Sequence, residues 1–149
     1  MKTSLSISLL LFVALVSAWG GTPEQEKGFV DKYKAAFESN DTSTLESFLY
    51  THGADPAIVG FYKMMQSGSA GGKISKIELL DLTPEDAKKA ALPQDSPTGG
   101  KLCLTLQPTK KLVVTTETKD ANGSSSGTTT NFIAEKEGKF VIPVPGPCK

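Results

Sequence analysis

The sequence predicts an α+β domain in which N-terminal helices pack on a curved antiparallel sheet of four to five strands, a cone-like arrangement. Two observations lead to this prediction. Apolar residues recur at helical spacing from residue 23 to residue 66, whereas from residue 74 onward they occur in β-branched runs and alternating patterns. Helices gathered on one side of an antiparallel sheet define the α+β class.

The first 18 residues have the pattern of a cleavable secretory signal. Lys2 precedes an apolar run from Ile7 to Val16, and Val16-Ser17-Ala18 fits the rule of small residues at the cleavage site. The run has about half the length that a membrane-spanning helix needs. We therefore expect a secreted or periplasmic protein in which residues 19–149 form one α+β domain. The alternative is a signal that stays uncleaved as a membrane anchor.

Three helices are expected in the first half of the domain. Pro23 begins the first, which Asn40-Asp41 ends. The capping box Ser43-x-x-Glu46 indicates a short second helix. Asp55-Pro56 begins the third as an N-cap followed by a proline at the first helical position. The apolar positions of the three helices are, in order, Phe29, Tyr33, Ala36 and Phe37, then Leu45, Phe48 and Leu49, then Ile58, Phe61, Tyr62 and Met65.

The second half is predicted to form the sheet. A first strand, Ile74–Leu82, is followed by a short helix from Pro84 to Ala91, for which Thr83 and Asp86 supply a capping signature. A loop rich in proline and glycine then spans residues 92–100.

Four neighbouring antiparallel strands are expected after this loop. They comprise the alternating Leu102, Leu104 and Leu106, then residues 111–119, 128–135 and 139–144. Residues 120–127 are predicted to form a loop, and Glu137-Gly138 a tight turn. In the last hairpin, Phe132, Phe140 and Ile142 are the expected inward-facing residues.

Cys103 and Cys148 are the two cysteines of the chain. Exported proteins favour a disulfide between them, and a reactive thiol is the alternative. A disulfide would fix the proline-rich tail, residues 143–149, to the domain. Within the tail, residues 143–147 are not expected to join a sheet, because prolines cannot donate to a ladder.

Every basic residue of the chain is a lysine, and the sequence contains no arginine. Arginine is the side chain that most often contacts phosphates and base edges, and clustered positive charge dominates affinity for nucleic acid. The pairs Lys88-Lys89 and Lys110-Lys111 are isolated. We expect no nucleic-acid partner, and no membrane association once the signal is removed.

Residues 24–142 resemble the nuclear transport factor two-like superfamily. The likeness is carried by Phe29-x-x-x-Tyr33-x-x-x-Phe37, by Leu45-x-x-Phe48-Leu49, by the strand Ile74–Leu79 and by the closing hairpin Phe132–Ile142. The resemblance implies a cystatin-like α+β shape whose curved sheet wraps a long N-terminal helix. It also implies a cone between sheet and helices that can hold a small apolar ligand. The side chains expected to line this pocket are Tyr33, Phe37, Phe61, Tyr62 and Met65.

Enzymes of this superfamily that are similar to ketosteroid isomerase use an acidic base in the cone, with a tyrosine and a protonated acid as oxyanion donors. Glu78 and Glu117 are the nearest acids of this chain, and both alternate with lysine or threonine on a face expected to be wet. Tyr33 and Tyr62 lie in helical apolar stripes, which are typical of core packing as well as of ligand contact.

His52 is the one histidine of the chain, and Asp55 lies three residues after it. The pair could act as a general base with an orienting acid, but Asp55 is already expected to be an N-cap, and a solvated histidine is the alternative. A stable metal site needs three or four ligands. No catalytic, metal or cofactor site is therefore predicted.

Three hypotheses for function follow from the sequence. The preferred one is a non-enzymatic exported module that binds a small apolar ligand or a protein partner, with a sheet-to-sheet homodimer as one form. The second is a small lyase or isomerase that uses His52 or a buried acid together with Tyr33 or Tyr62. The third is a structural envelope protein.

Overall fold

The computed structural model describes residues 21–149 apart from Asn122, together with every side chain in that range except those of Lys119 and Asp120. The predicted signal, residues 1–18, lies outside the described residues. Within the described part of the chain, no helix combines the length and apolar character needed to cross a membrane.

The α+β class is confirmed. The described residues form four helices and two sheets. The helices are α1 (Pro23–Glu38), α2 (Thr42–Ser47), α3 (Pro56–Ser69) and α4 (Pro84–Ala91). The strands are β1 (Leu49–Tyr50), β2 (Lys73–Asp81), β3 (Gln94–Asp95), β4 (Lys101–Leu104), β5 (Lys110–Asp120), β6 (Gly123–Lys136), β7 (Lys139–Pro143) and β8 (Pro145–Pro147).

The main sheet has five strands in the order β1-β7-β6-β5-β2. It is mixed, because β1 runs parallel to β7 while the other neighbours are antiparallel. The second sheet has the order β3-β4-β8. The prediction that residues 101–144 form neighbouring strands is therefore wrong for β4, which pairs with the C-terminal tail instead of with β5. Leu106 lies beyond the end of this strand, and the predicted loop 92–100 contains β3.

The helix termini follow their local sequence signals. Thr22 and Gln25 form a capping box at α1, and Thr83 and Asp86 form another at α4. The carboxylate of Asp55 accepts the backbone N–H groups of α3, as predicted. The predicted capping box at Ser43 is wrong, because the N-cap is Asp41, two residues earlier, and its carboxylate accepts the N–H of Thr44 at 3.0 Å.

The C-terminal tail is part of the second sheet, contrary to the prediction from its prolines. Leu102 pairs with Pro147 and Leu104 with Pro145 across β4 and β8. A proline lacks an N–H donor but keeps its carbonyl acceptor. The carbonyl of Pro145 accepts the N–H of Asp55 at 3.0 Å. Donors from neighbouring segments thus hold the tail in place.

The predicted disulfide between Cys103 and Cys148 is confirmed, with 2.06 Å between the sulfur atoms. It joins β4 to the residue that follows β8, and it closes a chain separation of 45 residues. The N–H of Cys148 also donates to the carbonyl of Lys101 at 3.0 Å. Cys148, one residue before the end of the chain, is therefore held by a covalent bond and a hydrogen bond.

Residues 123–127 belong to strand β6 and not to the predicted loop. β5 and β6 continue as one long hairpin in which Asp120 pairs with Gly123. Serine and threonine fit a two-stranded ladder well, since threonine is β-branched and hydroxyl pairs stabilise neighbouring strands. The hydroxyls of Thr115 and Thr128 lie 3.2 Å apart across this ladder. The Glu137-Gly138 turn is confirmed and joins Lys136 to Lys139.

The core lies where α1 crosses the sheet. The Phe29 ring packs edge-on against Phe48, with 5.2 Å between the ring centroids. The centroid of the Phe140 ring lies 5.6 Å from that of Phe29. Phe140 and Ile142 are buried as predicted. Phe132 is only partly buried, because strand alternation turns Ile133, which is fully buried, towards the helices instead.

Candidate functional site

A cleft of about 400 Å³ lies between the helices α1 and α3 and the end of the main sheet formed by β5 and β6. The helices contribute mainly aromatic and apolar side chains, and the strands contribute mainly hydroxyl groups. The lining residues are Tyr33, Phe37, Phe61, Tyr62, Met65, Gln66, Ser69, Val114, Thr116, Gly127, Thr128, Thr129, Thr130 and Asn131.

Helical spacing positions the upper wall of the cleft. Tyr33 and Phe37 lie one turn apart on α1, and Tyr62, Gln66 and Ser69 lie on one face of α3. All five side chains predicted from the sequence as pocket residues line this cleft, namely Tyr33, Phe37, Phe61, Tyr62 and Met65. Whether they bind a ligand stays a prediction.

Burial divides these side chains into two groups. Tyr33 and Phe37 are buried at the base of the cleft, each with 3% of its surface exposed. Phe61 is 49% exposed and Met65 44% exposed, so the predicted apolar face of α3 is buried only in part, mainly at Ile58. On this side of the sheet, residues 123–131 of β6 pair with β5 but have no second neighbouring strand among the described residues.

A buried hydrogen bond joins the two helices at the base of the cleft. The Tyr33 hydroxyl donates to Oε1 of Gln66 at 3.0 Å. Burial raises the pKa of Tyr33 to about 12, although its hydrogen bond with Gln66 lowers it in part, and burial also raises the pKa of Tyr62. Both phenols are therefore neutral hydrogen-bonding groups at physiological pH.

Gln66 is a site residue that sequence reasoning missed. It is the buried polar side chain of the described core, with 8% of its surface exposed. The signal was present in the sequence, because Ile58, Tyr62 and Gln66 follow one another at intervals of four residues. A polar residue on an otherwise apolar helical face indicates a buried hydrogen-bond partner.

The lower wall of the cleft is the inner face of the β5–β6 hairpin. Val114 pairs directly with Thr129, and Thr116 with Gly127. Side chains of directly paired residues lie on the same face of a sheet. This wall was not predicted from the sequence, because Gly127 falls in residues that were expected to form a loop.

The described lining residues carry no carboxylate, ammonium or imidazole group. The two acids considered as catalytic candidates lie elsewhere. Glu78 forms an ion pair with Lys76 at 2.8 Å, and Glu117 is exposed on β5. The chemistry available in the cleft is therefore apolar contact combined with hydrogen bonding by phenol, hydroxyl and amide groups.

His52 lies apart from the residues that line the cleft. It is exposed in a second depression of about 340 Å³, beside Tyr50 and the disulfide, with 6.2 Å between the Tyr50 and His52 rings. Asp55 uses its carboxylate to cap α3. Among residues 21–149 without Asn122, no group of three or more potential metal-ligating side chains is brought together.

No protein-family model matches the sequence, and comparison with curated proteins gives no match. Among solved structures, the chain has a weak likeness to the helical cell shape determining protein Pgp2 from Campylobacter jejuni, with a TM-score of 0.41 and 14% sequence identity. The matched region covers 77% of this chain and 37% of that protein. This likeness is too weak to support a functional assignment.

Proposed function

We propose that the protein is a non-catalytic exported binding module and that its cleft holds a small apolar ligand. The observation that carries the proposal is the composition of the cleft. Aromatic and apolar side chains line one wall, hydroxyl groups line the other, and no charged side chain occurs among the described lining residues. A ligand with a mainly apolar body and one or two uncharged polar groups fits this chemistry.

The size of the cleft supports a ligand of this class. Its volume of about 400 Å³ lies near the lower end of the range that small-molecule sites occupy. The buried rings of Tyr33 and Phe37 would contact the apolar body of the ligand. Gln66 uses its carbonyl oxygen to accept from Tyr33, so its amide N–H groups, together with the hydroxyl of Thr116, are candidates to orient polar groups.

Export is the second part of the proposal. The disulfide is compatible with an oxidising compartment outside the cytoplasm. The predicted signal in residues 1–18 and its removal near Ala18 belong to the proposal, as does a secreted or periplasmic location. The resemblance to the nuclear transport factor two-like superfamily is also a proposal, and the packing of α1 across a curved sheet is in keeping with it.

A lyase or isomerase remains the alternative function. It would need a proton acceptor that faces the ligand. The phenols of Tyr33 and Tyr62 can donate hydrogen bonds, but the described lining residues supply neither a carboxylate nor an imidazole. A binding role therefore requires only groups that the cleft already contains. A structural envelope protein would not require an open cleft at all.

Nile red, a neutral dye whose fluorescence rises in apolar surroundings, tests the proposal. We expect residues 19–149 to bind it saturably. Phe61→Asp should weaken binding by at least about tenfold, equivalent to ~1.4 kcal/mol, because the substitution introduces a charge into an apolar wall. Phe61 is half-exposed, so the variant should still fold.

Leu92→Asp is the matched control. Leu92 is an exposed apolar residue, with 62% of its surface accessible, and it does not line the cleft. Its substitution should leave the affinity for Nile red unchanged. An equal loss in both variants, or fluorescence that never saturates, would show that the dye binds exposed apolar surface in general and would remove the ligand proposal.

A further inference from the structure

One edge of the main sheet is open along most of a strand. β6 spans Gly123–Lys136, but β7 pairs only with Ala134–Lys136. The preceding stretch, Gly123–Asn131, pairs with β5 on one side. On its other side it has no strand partner within the part of the chain that the structure describes. We call this stretch the open edge.

The direction of the backbone groups along the open edge follows from the ladder. The N–H of Thr109 donates to the carbonyl of Ile133 at 2.9 Å, so odd-numbered residues of β6 direct their backbone groups towards β5. Even-numbered residues direct theirs to the open side, in agreement with the two-residue turn Glu137-Gly138, which makes Lys136 and Lys139 of β7 a hydrogen-bonded pair. The outward-directed residues of the open edge are Ser124, Ser126, Thr128 and Thr130.

The opposite edge of the same sheet, strand β2, is protected. It carries an irregularity in register between Ile74 and Lys76, and its charged side chains include Lys73 and Glu78. Proteins use bulges and charged residues of this kind to prevent one sheet edge from pairing with another chain. The open edge has neither: its sequence, Gly-Ser-Ser-Ser-Gly-Thr-Thr-Thr-Asn, is uncharged, and its register with β5 is continuous.

We propose that the open edge pairs with the same edge of a second copy of this chain, antiparallel and about a two-fold axis near Gly127. In this register Ser124 lies opposite Thr130 of the second copy, and Ser126 lies opposite Thr128. Every outward-directed N–H of one copy then faces a carbonyl of the other. The pairing goes beyond the proposed function and does not depend on whether the cleft holds a ligand.

Charge and length both favour a second copy as the occupant. A two-fold pairing brings residues of the open edge opposite one another, and an uncharged segment suffers no like-charge repulsion when it meets itself. The edge is bounded by β7 at one end and by the tip of its own hairpin at the other. The open edge of one copy therefore has the same length as the unpaired stretch of the other copy with which it would pair.

The apolar side chains of α3 give a second reason. Phe61 and Met65 line the cleft together with Gly127–Asn131, and nearly half of each residue's surface is exposed in the single chain. A strand added to the open edge would extend the sheet beneath them. The second copy would thus cover apolar surface at the same time as it satisfies the backbone groups of the edge.

Two double variants with different charges at the same positions test this pairing by sedimentation velocity. Ser126 and Thr128 are exposed, and neither directs its backbone groups to β5. Ser126→Lys with Thr128→Lys places lysine opposite lysine in the proposed dimer. Ser126→Lys with Thr128→Glu places lysine opposite glutamate. We expect the wild type to dimerise, the first variant to dissociate with a constant raised at least about tenfold, and the second to dimerise again.

Circular dichroism and Nile red titration complete the test. Both variants should keep the wild-type spectrum, since the substituted side chains lie on the exposed hairpin. Because Thr128 lines the cleft, Nile red binding is measured on the wild type: saturation at protein concentrations below those at which it dimerises separates the pairing from the ligand proposal. A wild type that stays monomeric at millimolar concentration overturns the pairing. So does a dimer that both variants leave intact, which would indicate contact through a sheet face or another surface.

Discussion

The two ends of strand β6 have opposite surroundings. At its C-terminal end, Ile133 and Ala134 are completely buried between neighbouring strands and packed side chains. At its N-terminal end, residues 123–130 are exposed and border both the cleft and the open edge. The same strand is thus packed into the core at one end and has unpaired backbone groups at the other. The comparison separates residues that hold the fold from those that are free to bind.

We call the C-terminal end of β6, together with β7 and the tail that follows it, the closed end, and the N-terminal end of β6 the open end. The closed end is held by contacts from distant parts of the chain. Val144 is completely buried, and its N–H donates to the carbonyl of Tyr50 at 3.1 Å. Gly146 approaches the loop before α3 so closely that a Cβ atom would lie 2.0 Å from the carbonyl oxygen of Gly53. The disulfide fixes Cys148, two residues after Gly146. Ordering the tail therefore depends on the closed end as a whole.

Removing the disulfide should produce the largest effect on this comparison. Cys103→Ala with Cys148→Ala should lower the free energy of unfolding by about 4 kcal/mol, because the unfolded chain regains the entropy of a loop whose ends are 45 residues apart. Urea denaturation followed by circular dichroism measures the loss.

The wild type treated with a reducing agent should lose the same stability, whereas the double alanine variant should not respond to that agent. A loss below about 1 kcal/mol would mean that packing and the hydrogen bonds of β8 hold the tail without the cross-link.

The hydrogen bond between Tyr33 and Gln66 lies at the boundary between the two ends. Tyr33→Phe should lower the free energy of unfolding by about 1–3 kcal/mol, since Gln66 is buried and its carbonyl oxygen loses its donor. Tyr62→Phe is the control: burial raises the pKa of Tyr62, yet among the described residues its hydroxyl has no hydrogen-bond partner. Its loss of stability should be smaller.

The burial of Tyr33 predicts a dependence of stability on alkaline pH. The pKa of Tyr33 is raised from 10.0 to about 12 in the folded protein. A raised pKa means that this contribution to stability is complete below pH 10 and is lost as the pH rises through about 12. Absorbance titration at alkaline pH should show a phenol that ionises near pH 12 and is absent from Tyr33→Phe, in which the raised pKa of Tyr62 remains. Identical titration curves for the wild type and Tyr33→Phe above about pH 11 would contradict the burial of Tyr33.

Local signals predicted the helices well. α4 extends from Pro84 to Ala91 as expected, because Thr83, Pro84 and Asp86 define its beginning within four residues. The helical part of the cleft wall was predictable for the same reason. Tyr33, Phe37, Tyr62 and their neighbours were expected from helical spacing together with the family resemblance, and helical spacing depends on the chain within two turns.

Strand pairing was less predictable, because it depends on segments far apart in the sequence. The proline content of residues 143–147 correctly indicates missing donors, but it does not reveal that Asp55 and Lys101 lie beside the tail. Glycine and serine at residues 123–127 favour a loop locally, whereas pairing with β5 extends them as a strand. The open edge was missed because an unpaired edge is a property of the whole sheet.

The cross-strand pair of Val114 and Thr129 tests the comparison between the two ends of β6 through the smallest expected effects. The two residues lie opposite each other on one sheet face, yet Val114 is buried beneath the helices with 3% exposure and Thr129 is exposed at the open end. Val114→Thr should lower the free energy of unfolding by about 1 kcal/mol, because it buries a hydroxyl group. Thr129→Val should change it by no more than about 0.5 kcal/mol.

The exposed member of the pair should instead affect binding. Thr129→Val adds apolar surface to the cleft and should strengthen Nile red binding a few-fold while leaving the free energy of unfolding unchanged, because the residue contacts solvent rather than the core. Denaturation and dye titration on the same two variants distinguish these effects. If Thr129→Val changed stability as much as Val114→Thr, the open end would be packed like the closed end, and its surface would not be free for a ligand or for a second chain.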